Sequence, residues 1–152
     1  MIKKRLKLQY SDAKAHAPEK VKKRIDFLDK INKMSEANGP YSKMLKEADA
    51  AILICGDLER TIPSAKEFWV IDGSIAIQNM CLAATSLGVG NVWLGTWPIE
   101  ERVNNLRKIF DLPEHIIPHS VLSLGIPEDV DKFNEINQRA IFEEEKVHYE
   151  KW

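Results

Sequence analysis

The spacing of apolar residues predicts a helix near the start of the chain and a strand soon after it. Between residues 18 and 34, apolar side chains recur every three or four positions, which places them on one side of a helix. The turn-forming residues at 38–40 predict the end of this helix, and a short helix over 41–48 is expected next. The uninterrupted apolar run at 50–55 is typical of a strand that is buried on both faces.

A second long helix is predicted over residues 64–87. Ser64 and Glu67 have the spacing of a capping box at its start, and Gly88 suits its end. Because apolar residues occur on nearly every side of this helix, we expect it to be central and buried. The large ones are Phe68, Trp69, Ile71, Ile75, Ile77, Met80 and Leu82.

Three polar residues interrupt this apolar helix: Asp72, Gln78 and Asn79. Buried polar groups need hydrogen-bond partners, so one interpretation is that these side chains tie neighbouring backbone together. The other is that they support a ligand-binding loop from behind. The sequence leaves both open.

The second half of the chain predicts a strand over 92–95, a helix over 98–110 and a strand over 119–125. This order of strands and helices implies a sheet covered by helices. The last 25 residues keep several large apolar side chains, which a disordered tail would not need. We therefore expect the segment 128–152 to wrap over the domain or over a second subunit.

Composition and charge narrow the class of protein. The chain has 152 residues, which suits one domain, and a net charge of −1 gives no general attraction for nucleic acid or for a membrane surface. Its basic start is followed by no apolar stretch, so we expect no secretory signal and a cytoplasmic location. Cys55 and Cys81 form no paired motif, and Cys81 is expected to be a small core residue.

Most familiar catalytic motifs are absent from the sequence. There is no dinucleotide-binding or phosphate-binding glycine motif and no GxSxG nucleophile motif. The histidines show no metal-ligand spacing, so no metal is expected, and we expect His115 in a loop and His119 at a strand edge. An enzyme with this sequence would therefore need a cofactor to supply its chemistry.

Residues 69–95 carry three consecutive motifs: WVIDGSIAIQNM, CLAATSLGVG and NVWLG. Shorter motifs flank them in order, namely PYSKML at 40–45, ILICGD at 52–57, LPE at 112–114, SLGIP at 123–127 and KVH at 146–148. Together, over roughly residues 41–152, these motifs resemble the nitroreductase family. Members of this family are FMN-dependent NAD(P)H oxidoreductases.

The resemblance implies an α+β fold in one domain over residues 1–152. Its mixed sheet would be flanked by helices, and two chains would form an intertwined homodimer. FMN would lie at the dimer interface, and the segment 128–152 would wrap the partner subunit.

The resemblance also implies which residues hold FMN. Val92, Trp93, Leu94 and Gly95 would line the isoalloxazine ring, through backbone groups where a side chain would block the approach. A glycine at position 95 suits this role, since it lets backbone come close to a planar ligand. Two basic residues near the end of the chain, Lys146 and His148, would contact the FMN phosphate.

The first 40 residues depart from the family pattern. Lys4 or Arg5 would take the place of the first phosphate-binding arginine, but Leu6 and Leu8 stand where a serine and a later arginine are expected. A polar loop that covers the flavin has no counterpart. The alternative for this stretch is an amphipathic strand with Leu6, Leu8 and Tyr10 on one face.

Two functions follow from this resemblance. The first is an oxidoreductase that passes reducing equivalents from NADH or NADPH to a nitroaromatic, quinone or similar small-molecule acceptor in a ping-pong cycle. No side chain is then expected as a catalytic acid or base, because the flavin carries the redox chemistry. Trp97 would shape the acceptor pocket or pack in the core. The second is a shortened, non-catalytic dimer that binds a ligand or a protein.

Overall fold

A computed structural model describes residues 19–137 and 144–150. In this part of the chain, one three-stranded sheet is covered by helices on both faces. The helices are α1 (Glu19–Ala37), α2 (Phe68–Ser86), α3 (Glu100–Phe110) and α4 (Val130–Asn137), and the strands are β1 (Ala50–Asp57), β2 (Gly90–Gly95) and β3 (Ile116–Gly125). Short 3-10 helices span Pro40–Lys46, Leu58–Arg60 and Glu144–Lys146. This arrangement agrees with the α+β class predicted from the sequence.

The sheet is antiparallel, with the strand order β1-β3-β2. β1 and β2 are joined through α2, and β3 lies between them in the sheet. Because β3 runs opposite to both, β1 and β2 run in the same direction. The predicted mixed sheet is therefore wrong for the described residues, in which every strand pairing is antiparallel.

One face of the sheet forms the main core. Helices α1 and α3 and the first 3-10 helix pack on this face. The central strand β3 is covered on both faces, since its residues 118–123 are all buried. The buried apolar residues of the main core are Ile31, Met34, Leu45, Leu94, Leu106 and Val121. The predicted amphipathic pattern of the first helix is confirmed at Ile31 and Met34, which are buried, but it is wrong at Leu28, which is 38% exposed.

Helix α2 covers the other face of the sheet, but it is far less buried than predicted. Ile77 and Ala84 are buried, whereas Phe68, Ile71 and Ile75 are each more than half exposed. The apolar surface of this helix therefore extends well beyond the side that the sheet covers. The prediction of a buried central helix is wrong for the chain taken alone.

The predicted capping box does not form at the start of α2. The helix begins at Phe68, and Glu67 at its N-terminus makes no side-chain capping bond. Two turns precede it, because the Ala65 amide bonds to the Ile62 carbonyl at 2.9 Å and the Phe68 amide to the Ala65 carbonyl at 3.0 Å. These turns use the residues that the capping box would have needed.

Strand β1 is also more exposed than its apolar sequence suggested. Ile52 and Cys55 are exposed, and β1 is an edge strand of the described sheet. The apolar run at 50–55 predicted the strand correctly, but its burial on both faces is wrong. Cys81 on α2 is partly buried.

The C-terminal segment packs partly on its own chain. Phe133 of α4 lies beside Gly90 at the start of β2, and both line an open cleft of about 450 Å³ with Val92 and Pro127. Beyond this helix, Tyr149 is almost fully exposed. Among the described helices, none combines the length and apolar character needed to cross a membrane.

A buried polar link joins the end of α1 to the residue after β2. The Thr96 hydroxyl donates to Asn38 Oδ1 at 3.0 Å, and Asn38 Nδ2 donates to the Met34 carbonyl at 3.0 Å. Both side chains are almost completely buried. Because an unsatisfied buried polar group is costly, this link fixes the position at which the chain leaves β2.

We predict that Thr96→Val lowers the free energy of unfolding by about 1–3 kcal/mol, because Asn38 Oδ1 loses its donor without access to water. Urea denaturation measures this change. Thr61→Val is the matched control, since the Thr61 hydroxyl bonds to the Leu58 carbonyl at an exposed site. The control should change the same quantity by less than about 0.5 kcal/mol. Equal effects for both variants would contradict the importance of the buried link.

Candidate functional site

The four predicted ring-binding residues lie together on β2, at an edge of the described sheet. β2 pairs with β3 on one side, and no described strand pairs with its other side. Val92 and Trp93 are each about 40% exposed, whereas Leu94 points into the main core. The Leu94 side chain therefore cannot line a ligand, and only its backbone remains for that purpose.

Gly95 at the end of β2 offers open space. A Cβ atom at this position would meet no other atom of the described chain within 4 Å. The absence of a side chain is therefore not required by packing within this chain. It leaves the backbone at an exposed strand end accessible to a flat ligand or to another molecule.

Aromatic rings and a histidine lie between the sheet and α2. The Trp93 and His119 ring centroids are 6.2 Å apart, those of His119 and Trp69 are 6.0 Å apart, and those of Trp69 and Trp97 are 5.2 Å apart. The last pair is T-shaped, a favourable arrangement for two aromatic rings. This aromatic cluster, formed by Trp93, His119, Trp69 and Trp97, links β2 to the start of α2.

His119 is buried in the central strand, so its predicted place at a strand edge is wrong. Ile54 pairs with Ser120 and Cys55 with Pro118, which leaves His119 as the extra residue of a β-bulge. A bulge can turn a side chain that would otherwise face the opposite side of the sheet. Here the imidazole contacts α2 and the Ser120 hydroxyl.

The hydrogen bonds of His119 define its neutral form. Nε2 lies 3.1 Å from the Val70 carbonyl, which can only accept, so Nε2 carries the proton and donates. Nδ1 then accepts from the Ser120 hydroxyl at 2.8 Å. Burial lowers the pKa of His119, although the bond to Val70 opposes this shift. The Ser74 hydroxyl also lies 3.3 Å from Nε2.

Two glycines allow α2 and its aromatic residues to approach the sheet closely. A Cβ at Gly56 would overlap the Trp69 ring, and a Cβ at Gly73 would lie 3.0 Å from His119 Cδ2. The overlap at Gly56 makes glycine necessary there, whereas a side chain at Gly73 would require the imidazole to move by a few tenths of an ångström. The sequence showed no sign of this packing role.

The polar residues of α2 are exposed rather than buried. Gln78 and Asn79 line a cavity of about 440 Å³ beside Trp93, together with Ile71 and Ile75. Asp72 lines a different cavity. Both interpretations made from the sequence assumed that these side chains are buried, and that assumption is wrong for the described chain. However, Gln78 and Asn79 do lie next to the strand that carries the predicted ring-binding residues.

Trp97 is only partly in the core, and its role at an acceptor pocket stays a prediction. It packs against Trp69, yet it is 42% exposed. It also lines a cavity of about 390 Å³ with Leu58, Lys66 and Ile117.

The predicted phosphate-binding residues are less fully described. Lys146 ends the 3-10 helix Glu144–Lys146, and both Lys146 and His148 are exposed. Arg5 lies outside the described residues, as do the other positions of the divergent N-terminal segment up to residue 18. Their roles therefore stay predictions.

The fold also brings together Asp57, Glu59 and His115, which show no metal-ligand spacing along the sequence. One ligand atom from each lies within 4.8 Å of the others, and His115 Nδ1 is 3.5 Å from Glu59 Oε1. Asp57 Oδ1 already accepts from the Glu59 amide at 3.1 Å. His115 precedes β3, in agreement with its predicted loop position.

The described residues thus form an α+β domain with an antiparallel sheet and an open edge strand beside an aromatic cluster. Comparison with known proteins identifies the family. The model of the nitroreductase family matches residues 2–126. The chain belongs to the nitroreductase family.

Individual relatives agree with this assignment. A protein of Methanothermobacter thermautotrophicus, named provisionally as an NADH dehydrogenase/NAD(P)H nitroreductase, is 43% identical over 122 residues. The overlap covers 80% of this chain and 60% of that protein, so this chain spans less than two thirds of its relative. The protein named FMN reductase (NADPH) from Bacillus subtilis is 29% identical over 76 residues, which cover 49% of this chain and 30% of that protein.

A solved structure shows the same fold. The crystal structure of a protein from Clostridium acetobutylicum, described provisionally as an NADH oxidase, matches with a TM-score of 0.71 and 36% identity. The match covers 82% of this chain and 71% of that chain.

We predict that the stability of the protein falls as the pH falls below the ordinary histidine pKa of about 6.5, in part because of His119. Its pKa is lower in the folded state, so the unfolded state takes up the proton first and gains stability. The stability that His119 contributes is fully present above its ordinary pKa. It is lost as the pH falls towards the lower pKa that His119 has in the folded protein.

Urea unfolding at pH 7.5 and at pH 5.5 tests this prediction. The difference between the two free energies of unfolding should be smaller in His119→Gln than in the wild type. His115→Gln is the control for the loss of a histidine elsewhere in the chain. A His119→Gln variant with the full wild-type difference would show that His119 does not contribute.

Proposed function

We propose that this chain binds FMN and acts as an oxidoreductase, with NADH or NADPH as the reductant and a small-molecule acceptor such as a nitroaromatic or a quinone. The observation that carries the proposal is Gly95, which stands on an exposed strand edge with open space where a side chain would be. Membership of the nitroreductase family supports it. The names of relatives that refer to FMN, NADPH and NAD(P)H point the same way.

The residues of β2 fit the isoalloxazine ring of FMN. An edge strand has backbone N–H and C=O groups without strand partners, and a flavin ring carries acceptors and a donor along its edge. Gly95 and the backbone of Leu94 would meet the ring, while Val92 and Trp93 supply partly exposed apolar surface. Lys146, His148 and Arg5 would supply positive charge for the phosphate.

FMN, when bound, supplies the two-electron redox chemistry that no side chain of this chain offers. The protein then has to place the reductant and the acceptor in turn at one site, as in a ping-pong cycle. The cavity beside Trp93 is a largely apolar space next to β2, suited to a flat aromatic molecule. The cavity beside Trp97, just beyond β2, is lined by apolar side chains and also by Lys66 and Glu67.

We also propose that the site is completed by a second copy of the chain. The exposed apolar face of α2 reaches the cavity at Trp93 through Ile71 and Ile75. A large exposed apolar surface of this kind marks an interaction site. In a homodimer, the segment 128–152 would wrap the partner, which agrees with the exposure of Val147 and Tyr149 in the single chain.

We predict that Gly95→Val weakens FMN binding by at least about a hundredfold, since a branched side chain fills the space that the ring would need. The protein should still fold, because nothing in the described chain meets a Cβ at this position. Titration of the flavin-free protein with FMN, followed by flavin fluorescence and absorbance, measures the affinity. A thermal unfolding curve checks the fold.

Gly125→Ala is the matched control, because it changes a glycine at the far end of the neighbouring strand, where a Cβ makes only ordinary contacts. It should bind FMN like the wild type. Stoichiometric flavin in Gly95→Val would contradict the proposed ring site. A wild-type protein that stays folded and ignores FMN would overturn the oxidoreductase and favour the non-catalytic binding module.

A further inference from the structure

The peptide bond between Gly95 and Thr96 is held at both of its polar ends. The Gly95 carbonyl accepts a hydrogen bond from Arg102 Nη1 at 2.9 Å. The Thr96 amide donates to the His119 carbonyl at 3.2 Å, and the Trp97 amide donates to the same carbonyl at 3.0 Å. This peptide directly follows the glycine proposed to meet the ring, so its orientation decides which backbone groups the strand end presents there.

Arg102 occupies a position in α3 that helix electrostatics alone would not favour. It lies in the first turn, where the helix dipole favours negative charge, and Glu100 and Glu101 satisfy that preference. The presence of a positively charged side chain in the same turn therefore requires another explanation. The bond to the Gly95 carbonyl supplies one, since a charged donor strengthens a hydrogen bond.

The neighbouring backbone brings α3 close to the end of β2 and leaves space for this guanidinium. The connection from β2 to α3 is tight, because the Ile99 amide bonds to the Thr96 carbonyl at 3.0 Å. Gly39 lies alongside, where a Cβ would be 3.4 Å from Arg102 Nη2. Its φ of +86° is one that residues with side chains rarely adopt. The loop after α1 therefore leaves room for the arginine beside β2.

We propose that Arg102 is a positioning residue for the flavin site, which fixes the Gly95 carbonyl and with it the peptide plane at the end of β2. The inference rests on the proposed function, because the ligand is the same FMN. Without Arg102, the Gly95 carbonyl would bond to water, and the peptide would be held only by its amide. FMN binding would then have to fix the peptide, at a cost in affinity.

Arg102→Gln tests the role of the guanidinium, and Arg102→Lys tests whether a charged donor of similar length restores it. Arg107→Gln is a matched control, because Arg107 lies on the same helix, carries the same charge and also donates to a backbone carbonyl, that of Pro113. The full-length protein is used for every measurement.

We predict that Arg102→Gln weakens FMN binding about five- to tenfold, as expected for the loss of a partly exposed charge-assisted bond. It should also alter the visible circular dichroism of bound FMN, which depends on how the ring is held. Arg102→Lys should recover most of the affinity, and Arg107→Gln should match the wild type. Wild-type affinity in Arg102→Gln, or equal losses in both glutamine variants, would overturn the positioning role.

Hydrogen exchange in the flavin-free protein tests the same inference without the ligand. Arg102→Gln should speed exchange at the Thr96 and Trp97 amides severalfold, whereas Arg107→Gln should leave both unchanged. Unchanged exchange in Arg102→Gln would show that the arginine does not hold the peptide. If instead the wild type ignores FMN while Arg102→Gln still speeds exchange, the proposed cofactor fails and the backbone role of Arg102 stands.

Discussion

Helix α2 has apolar side chains on nearly every side, but the described chain covers only the side that lies on the sheet. Ile77 and Ala84 are buried there, while Phe68, Ile75 and Leu82 remain more than half exposed. A folded chain rarely leaves so much apolar surface on one helix in contact with water. This constraint connects the fold to the function, because the uncovered surface continues to Trp93 on the strand that carries the candidate site.

The way in which α2 is attached to the sheet explains the geometry of that site. Gly56 and Gly73 permit close approach, and the bulge at His119 directs an imidazole into hydrogen bonds with the helix. The His119 carbonyl also accepts hydrogen bonds from the Thr96 and Trp97 amides, which follow Gly95. One residue of the central strand therefore holds both the helix and the end of the edge strand.

The sequence predicted the elements of this fold well, because helix and strand periodicity follow from local apolar spacing. It predicted burial less well. Ile71 and Ile52 look like core residues in the sequence, yet their exposure depends on which surfaces other chains or strands cover. The direction of strand pairing could not be predicted from local patterns either. The last strand in the chain, β3, lies between β1 and β2, and this order depends on contacts between distant parts of the sequence.

The candidate site was predictable only where a motif marked it. The NVWLG motif located Gly95. However, nothing in the sequence indicated that the Arg102 side chain donates to the carbonyl of Gly95, seven residues before it. His119 was likewise misplaced, because a single bulge residue decides which face of the sheet its side chain occupies. Such relations depend on three-dimensional contacts that spacing along the chain does not show.

The most direct test of this account is the mass of the protein in solution, measured by sedimentation equilibrium over a range of micromolar concentrations. The exposed apolar face of α2 predicts a species of twice the chain mass, and a charged substitution at its centre, Ile75→Glu, should shift it towards the monomer. Ile126→Glu, at an even more exposed apolar residue beyond the end of β3, is the control. A wild type that remains a stable monomer throughout would contradict the claim that a second copy covers this face.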